Sequence, residues 1–211
     1  MNRVFLIDRA QATSDRRGAK STKHKPGSLV ALDAKTGTEL WREDKGIDGT
    51  LLALSVEDDA LLMSFQRTHF RLDSERGRRL AVYSASTGKK LWENNKANYI
   101  TRPLITNSTI YAQGGAWDIR TGKERPFKFE RSYGCGQLSG SANMLLYRSA
   151  TLGYFNLDDP SAKNRDYGGL RPGCWINAIP AGGMVLMPDA SAGCVCSYLN
   201  QSWVALEPAA D

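Results

Sequence analysis

This sequence predicts an all-β fold, a partial propeller of about three to four four-stranded antiparallel blades, and three observations carry the prediction. A hairpin phrase is repeated along the chain. Short apolar runs are bounded by Gly, Pro, Asn and Asp. No stretch shows the roughly 3.6-residue periodicity of an amphipathic helix of ordinary length.

The clearest copy of the phrase is ALDAKTGTELW, residues 31–41. Residues 28–33 alternate towards a half-buried strand that contains Ala31 and Asp33. Ala34, Lys35, Thr36 and Gly37 are turn material, with Gly37 free to take positive φ. The chain then returns as a second strand ending on Trp41. A second copy keeps Gly88 and Trp92, with Val82 and Ser84 where the first has Ala31 and Asp33. A third keeps Ala116, Asp118 and Gly122 and has Pro126 in place of the closing Trp. A fourth opens at Ala205 with Glu207 in the Asp position. A repeat of about fifty residues points to a solenoid, propeller or array, and a sandwich has no need of one recurring hairpin.

The other elements follow in order. Residues 4–7 read as a strand, and residues 9–27 as a polar, basic excursion. Residues 50–56 and 60–65 form a strand pair around the acidic turn at 57–59. Residues 70–72 read as a short strand before a charged loop, and the second hairpin occupies 80–93. Residues 98–104 and 108–112 form another pair, followed by the third hairpin and the alternating Phe127-Lys128-Phe129. Residues 144–148 and 152–155 are two strands, 158–166 a polar loop, and 175–179 and 184–187 the last full pair before 203–206. Residues 1–211 therefore read as a single repeat region, an incomplete propeller whose last blade, about 134–200, is irregular and contains cysteine.

Hydrophobic content of 41% and charged content of 24% suit a globular chain. No apolar run approaches the ~18 residues of a membrane span, and the one at 4–7 is too short for a signal peptide. The net charge of +6 is concentrated early, in Arg9, Arg16, Arg17, Lys20, Lys23 and Lys25. No aromatics interleave with these cations to make a stacking platform, so a solvated loop explains them and nucleic acid is not an expected partner.

The spacing of Ala31, Asp33, Gly37 and Trp41 resembles the tryptophan-docking repeat of the PQQ-type, quinoprotein-like β-propellers. That family includes pyrroloquinoline quinone dehydrogenases and cofactor-free propellers such as the outer-membrane assembly lipoproteins. The segments around Arg171-Pro172-Gly173-Cys174-Trp175 and Gly193-Cys194-Val195-Cys196 resemble the end of its bacterial cell-envelope members. The resemblance implies that each Trp lies across the next blade against an Ala and a Gly, and that the Asp fastens the turn. It implies a periplasmic or cell-envelope location, and partners that are proteins or further blades.

Catalytic readings are weaker. The family's dehydrogenases hold PQQ and a bridging Ca²⁺ on the axis of a closed ring, and this chain has too few blades to close one. No PQQ or Ca²⁺ is therefore expected outside a complete propeller. Asp158, Asp159 and Asp189 are candidates for an axial set by residue type alone. No nucleophile elbow accompanies His24 or His69, and the paired glycines do not fall at phosphate-loop spacing. No residue is assigned a catalytic, cofactor or metal role.

Four cysteines lie beyond the third repeat, at Cys135, Cys174, Cys194 and Cys196. In a strand, Cys194 and Cys196 share one face, and a bond between them would be strained. Two disulfides that draw on Cys135 and Cys174 are the preferred reading, and they require an oxidising compartment. A four-thiolate zinc site is the rival, although structural sites usually bring their ligands as C-x₂₋₄-C pairs. The function expected from the sequence is a non-catalytic module for protein interaction or scaffolding at the cell envelope, within a larger propeller. The alternative is the C-terminal part of a PQQ-dependent oxidoreductase.

Overall fold

The computed structural model describes residues 2–8, 27–48, 51–65, 78–132, 134–159, 161, 163–173, 176, 178–189, 193, 195–198 and 200–209. Its eighteen strands form five antiparallel sheets in chain order. The first is β1(Arg3–Asp8), β2(Gly27–Asp33) and β3(Glu39–Ile47). The second is β4(Leu51–Ser55), β5(Ala60–Ser64), β6(Leu80–Ser84) and β7(Lys90–Asn94). The third is β8(Leu104–Thr106), β9(Thr109–Ala112), β10(Gly115–Asp118) and β11(Glu124–Arg125). The fourth is β12(Ser139–Gly140), β13(Met144–Ser149), β14(Thr151–Asn156) and β15(Arg165–Asp166). The fifth is β16(Ile179–Ala181), β17(Met184–Met187) and β18(Val204–Leu206).

Each sheet is a meander of neighbouring strands, and the leading strands β4, β8, β12 and β16 touch one another in succession. They are the inner strands of successive blades, which makes the molecule a partial all-β propeller. By the same strand order, β1 is a second strand and β18 a third.

Burial is divided among four clusters, one for each junction between successive sheets. The alternating side chains of β5 and β6 explain the division. Leu61, Met63, Ala81 and Tyr83 meet Leu29 and Ile47 of the first sheet. Their neighbours Ala60, Leu62, Leu80 and Val82 meet Ile110, Ala112 and Trp117 of the third. Both faces are covered, so these strands read as continuous apolar runs. Leu146 and Leu152 of the fourth sheet meet Met187 and Ala178 in the last cluster.

Four stretches differ from the sequence reading; one is the strand read at 175–179, which lies instead at β16, paired with β17, with Ile176 and Ala178 before it. Residues 98–103 are not a strand: Tyr99 turns inwards, donates from its hydroxyl to the Arg79 carbonyl at 2.8 Å and accepts the Phe65 N–H at 3.0 Å. Pro103, with no N–H, suits that connection. The polar loop at 158–166 ends in a short strand, β15, paired to β14. The region 134–200 contributes strands to two sheets, the fourth and the fifth. Of the excursion read at 9–27, Gly27 opens β2 and residues 9–26 lie outside the described residues, as do the short strand read at 70–72, His24 and His69.

A buried ion cluster braces the first two sheets. Arg79, 3% exposed, donates to Asp48, to the Gly46 carbonyl at 2.7 Å and to Glu93 at 3.1 Å. Burial pushes the Glu93 carboxyl up, but hydrogen bonds from Lys90 and Arg79 outweigh it and bring the carboxyl down from 4.5 to about 2. A depressed carboxylate adds stability above its unfolded value, and that stability disappears as the pH falls through the folded one. Thermal melts should show stability falling from about pH 4.5 towards pH 2, with Glu93→Gln less stable at neutral pH and its acid-induced loss smaller.

Candidate functional site

The repeated hairpin forms a docking joint in two places. Trp41 of the first sheet lies on Gly88 of the second, where an added Cβ would stand 2.6 Å from the indole. Its Nε1–H donates to the Ala85 carbonyl at 3.2 Å. Trp92 of the second sheet lies on Gly122 of the third, with the corresponding gap 2.7 Å. Its Nε1–H donates to the Ile119 carbonyl at 2.7 Å. Both acceptors stand three residues before the glycine. The glycines have φ of +75° and +70°, a conformation that L side chains rarely adopt, so backbone and contact both favour glycine.

The carboxylate closes the turn. Asp33 Oδ1 accepts the N–H groups of Lys35 and Thr36, each at 2.9 Å. Asp118 Oδ1 accepts those of Arg120 at 3.0 Å and Thr121 at 2.8 Å. Arg125, with support from these turn donors, brings Asp118 down to about 2. The second copy has Ser84 at this position, and a carboxylate arrives from a different turn. Asp59 accepts the Ser84 hydroxyl at 2.7 Å and the Ser86 hydroxyl at 2.6 Å. Its neighbour Asp58 accepts Ser108 at 2.8 Å and Arg120 at 2.9 Å, linking the second sheet to the third. Neither aspartate belongs to the repeated phrase.

The third joint has no Trp. Pro126 stands at that position, and the next residue, Phe127, takes over the packing. Its ring sits edge-on to Tyr111 of the third sheet at 5.1 Å and to Phe155 of the fourth at 5.2 Å. Phe129 meets Tyr147 at 4.4 Å in the same cluster. Alternation at 127–129 was the only sequence signal for this joint. In the fourth sheet Asn156 replaces the turn aspartate and accepts the Asp158 N–H at 2.9 Å.

The structure brings Trp41 to Gly88 and Trp92 to Gly122. It places Ala31 and Ala116 buried within strands, Asp33 and Asp118 at the strand ends where the turns begin, and Gly37 just after its turn. Asp158 accepts from Asn143 at 2.6 Å, joining its turn to the one before β13, and Asp159 accepts from Ser161 at 2.7 Å within its own turn. Cys135 is an exposed thiol and Cys196 is half-buried; no disulfide joins described residues, and Cys174 and Cys194 lie outside them. Among the described residues, no cluster of His, Cys, Asp and Glu has the form of a metal site, and no helix is long and apolar enough to cross a membrane.

Sheets repeated in series and joined by rings on glycines define the chain as a β-propeller of PQQ-like repeats. The model of one family, described as outer membrane protein assembly factor BamB, matches residues 25–148, more than half of the chain, and the chain belongs to that family. A search of curated proteins gave no match. Among solved structures, BamB from Moraxella catarrhalis is similar at 16% identity and a TM-score of 0.51, over 79% of this chain and 51% of that one. The chain thus spans about half the length of that BamB. The computationally designed Ika4 protein is similar at 15% identity and a TM-score of 0.50, over 77% of this chain and 94% of that one. These likenesses show the fold.

The joints predict unequal costs for similar substitutions. In urea unfolding, Trp92→Ala should lose about 3–5 kcal/mol through lost burial and a cavity. Trp92→Phe should lose about 1–2 kcal/mol, with the Ile119 carbonyl left unpaired. Trp203, 77% exposed, should tolerate Ala within about 0.5 kcal/mol.

Proposed function

We propose that the chain is a non-catalytic propeller module that acts in protein interaction or scaffolding at the cell envelope, as part of a larger propeller. One observation carries the reading. The best-defined side chains of the repeat are spent on joining one sheet to the next, while the outer sheets leave the same kind of surface open. On the fifth sheet Ile179 is 42% exposed, Met184 39% and Trp203 77%. Large apolar groups on the one face of that sheet that no described sheet covers mark an interaction surface. Membership of the BamB family supports an envelope setting and a protein partner.

The test is association of the purified chain, followed by light scattering and sedimentation. The chain should self-associate with rising concentration, and Trp203→Ser combined with Met184→Ser should shift the equilibrium towards monomer by about tenfold or more. A monodisperse monomer at about 100 µM would count against the open-sheet reading. Saturable micromolar binding of PQQ with Ca²⁺, followed by absorbance, would overturn the non-catalytic one.

We read the exposed Cys135 as one member of a disulfide that forms in an oxidising compartment. Protein made there should titrate with no thiols in denaturant without reductant. Four thiols under those conditions would rule out the paired cysteines.

A further inference from the structure

We propose that the buried guanidinium groups of Arg171 and Arg148, with Arg131 at the rim, form a binding site for a tetrahedral oxyanion of the phosphate or phosphomonoester class at one end of the fourth sheet. The proposal goes beyond the module reading and does not depend on the fifth-sheet surface that carries it.

Backbone contacts bring the three arginines to that end of the sheet. Leu152 of β14 pairs with Arg148 of β13 on one side. On its other side Leu152 gives its N–H to the Leu170 carbonyl at 2.7 Å, and Arg171 follows directly. The connection that enters the sheet also passes here: a Cβ added at Gly134 would stand 2.7 Å from Cγ of Arg148. On that connection Arg131 donates to the Gly136 carbonyl at 3.4 Å. Burial pushes the Arg131 guanidinium down; the Cys135 sulfur opposes the shift and the charge of Arg148 adds to it, so the two cations stand within electrostatic range.

The burial is deep. Arg148 is 0% exposed and Arg171 3%, no more than Arg79. Arg79 shows what this fold supplies to a buried guanidinium: the Asp48 and Glu93 carboxylates and the Gly46 carbonyl. Arg171 lacks that provision. Among the described residues its Nε and Nη1 are buried and have no hydrogen-bond partner. Pro172 and Gly173 are buried beside it, so the segment is packed in place. A guanidinium cannot relieve its burial by losing a proton, and a buried charge without a partner is strongly destabilising. A bound anion removes that penalty.

Charge and shape define the class of ligand. Three neighbouring cations favour a dianion over a single carboxylate. They arrive from three separate segments, β13 and the connections on either side of the sheet, so acceptor oxygens are needed in several directions. A tetrahedral anion offers four, whereas a carboxylate offers two in one plane.

Inorganic phosphate is the probe, titrated into the ¹⁵N-labelled full chain in dilute Tris chloride at fixed ionic strength. The amide signals of Leu152, Leu170 and Arg171 should shift saturably, with a Kd of about 1 mM or tighter. Glycerol 3-phosphate forms a second arm. Binding of phosphate alone assigns the site to the free ion, comparable binding of both assigns it to a phosphomonoester group, and either result supports the proposal. Arg171→Met keeps much of the volume without the charge and should weaken phosphate binding at least about tenfold. Arg131→Gln, at the half-buried rim, should weaken it at least about threefold and decides the matter if Arg171→Met does not fold. Lys89→Gln, which removes an exposed cation on the second sheet, should bind phosphate as the parent chain does. No saturable shift at these residues, the same shifts with added chloride, undiminished binding by the folded arginine variants, or an equal loss in Lys89→Gln would each overturn the proposal. Such a failure leaves the module reading standing, because that reading is tested by association through the fifth sheet.

Discussion

An indole ring laid flat on a glycine, with its N–H given to a carbonyl three residues earlier, is the contact on which the arrangement of sheets depends. Strand pairing accounts for each sheet by itself, but backbone hydrogen bonds stop at the edges of a blade. What passes from blade to blade is side-chain packing, in the buried clusters at each junction and at the close contacts of Trp41 with Gly88 and Trp92 with Gly122. The contact is specific in two ways. Glycine is needed for close approach, and the indole nitrogen finds its partner only when the ring is seated, so that a buried N–H is not left unpaired.

The joint tolerates substitution because its parts are separable. The turn needs an oxygen that accepts its N–H groups, which Asp33, Asp118 and Asn156 supply locally; Ser84 supplies a hydroxyl, held in turn by Asp59 from another turn. The junction needs a large ring, which Phe127 supplies one residue later where Pro126 displaces the Trp. Polar contacts such as Arg120 to Asp58 then add links across the same seams. A quasi-linear molecule of this kind is stabilised junction by junction, each blade by its neighbours, which is why an outer sheet with one neighbour leaves apolar surface in water.

What was legible in the sequence follows the same division. Gly88 and Trp92 revealed the second blade, and Asp118 and Gly122 the third, because the turn demands positive φ and the joint demands a large ring. The fourth blade showed only as strands at 144–148 and 152–155 within an irregular last blade. Tyr154, Asn156 and Asn164 stand where Ala, Asp and Trp would mark it, and the successive pairing of β12 through β15 shows that it has four strands. Phe127 showed only as part of an alternation and not as a joint, because a shift of one residue leaves the packing possible but breaks the spacing. The role of Asp59 escaped notice because it depends on a tertiary contact with a turn 25 residues away in the chain. Residues 98–103 failed as a strand because Tyr99 is held inwards by the Arg79 and Phe65 backbones, an interaction invisible to local alternation.

The most direct test of the central contact is hydrogen exchange at the indole nitrogens, followed by NMR. If seated rings hold the sheets together, the Nε1–H groups of Trp41 and Trp92 should exchange at least about a hundredfold more slowly than that of exposed Trp203. Exchange of Trp41 and Trp92 at the same rate as Trp203 would contradict the account.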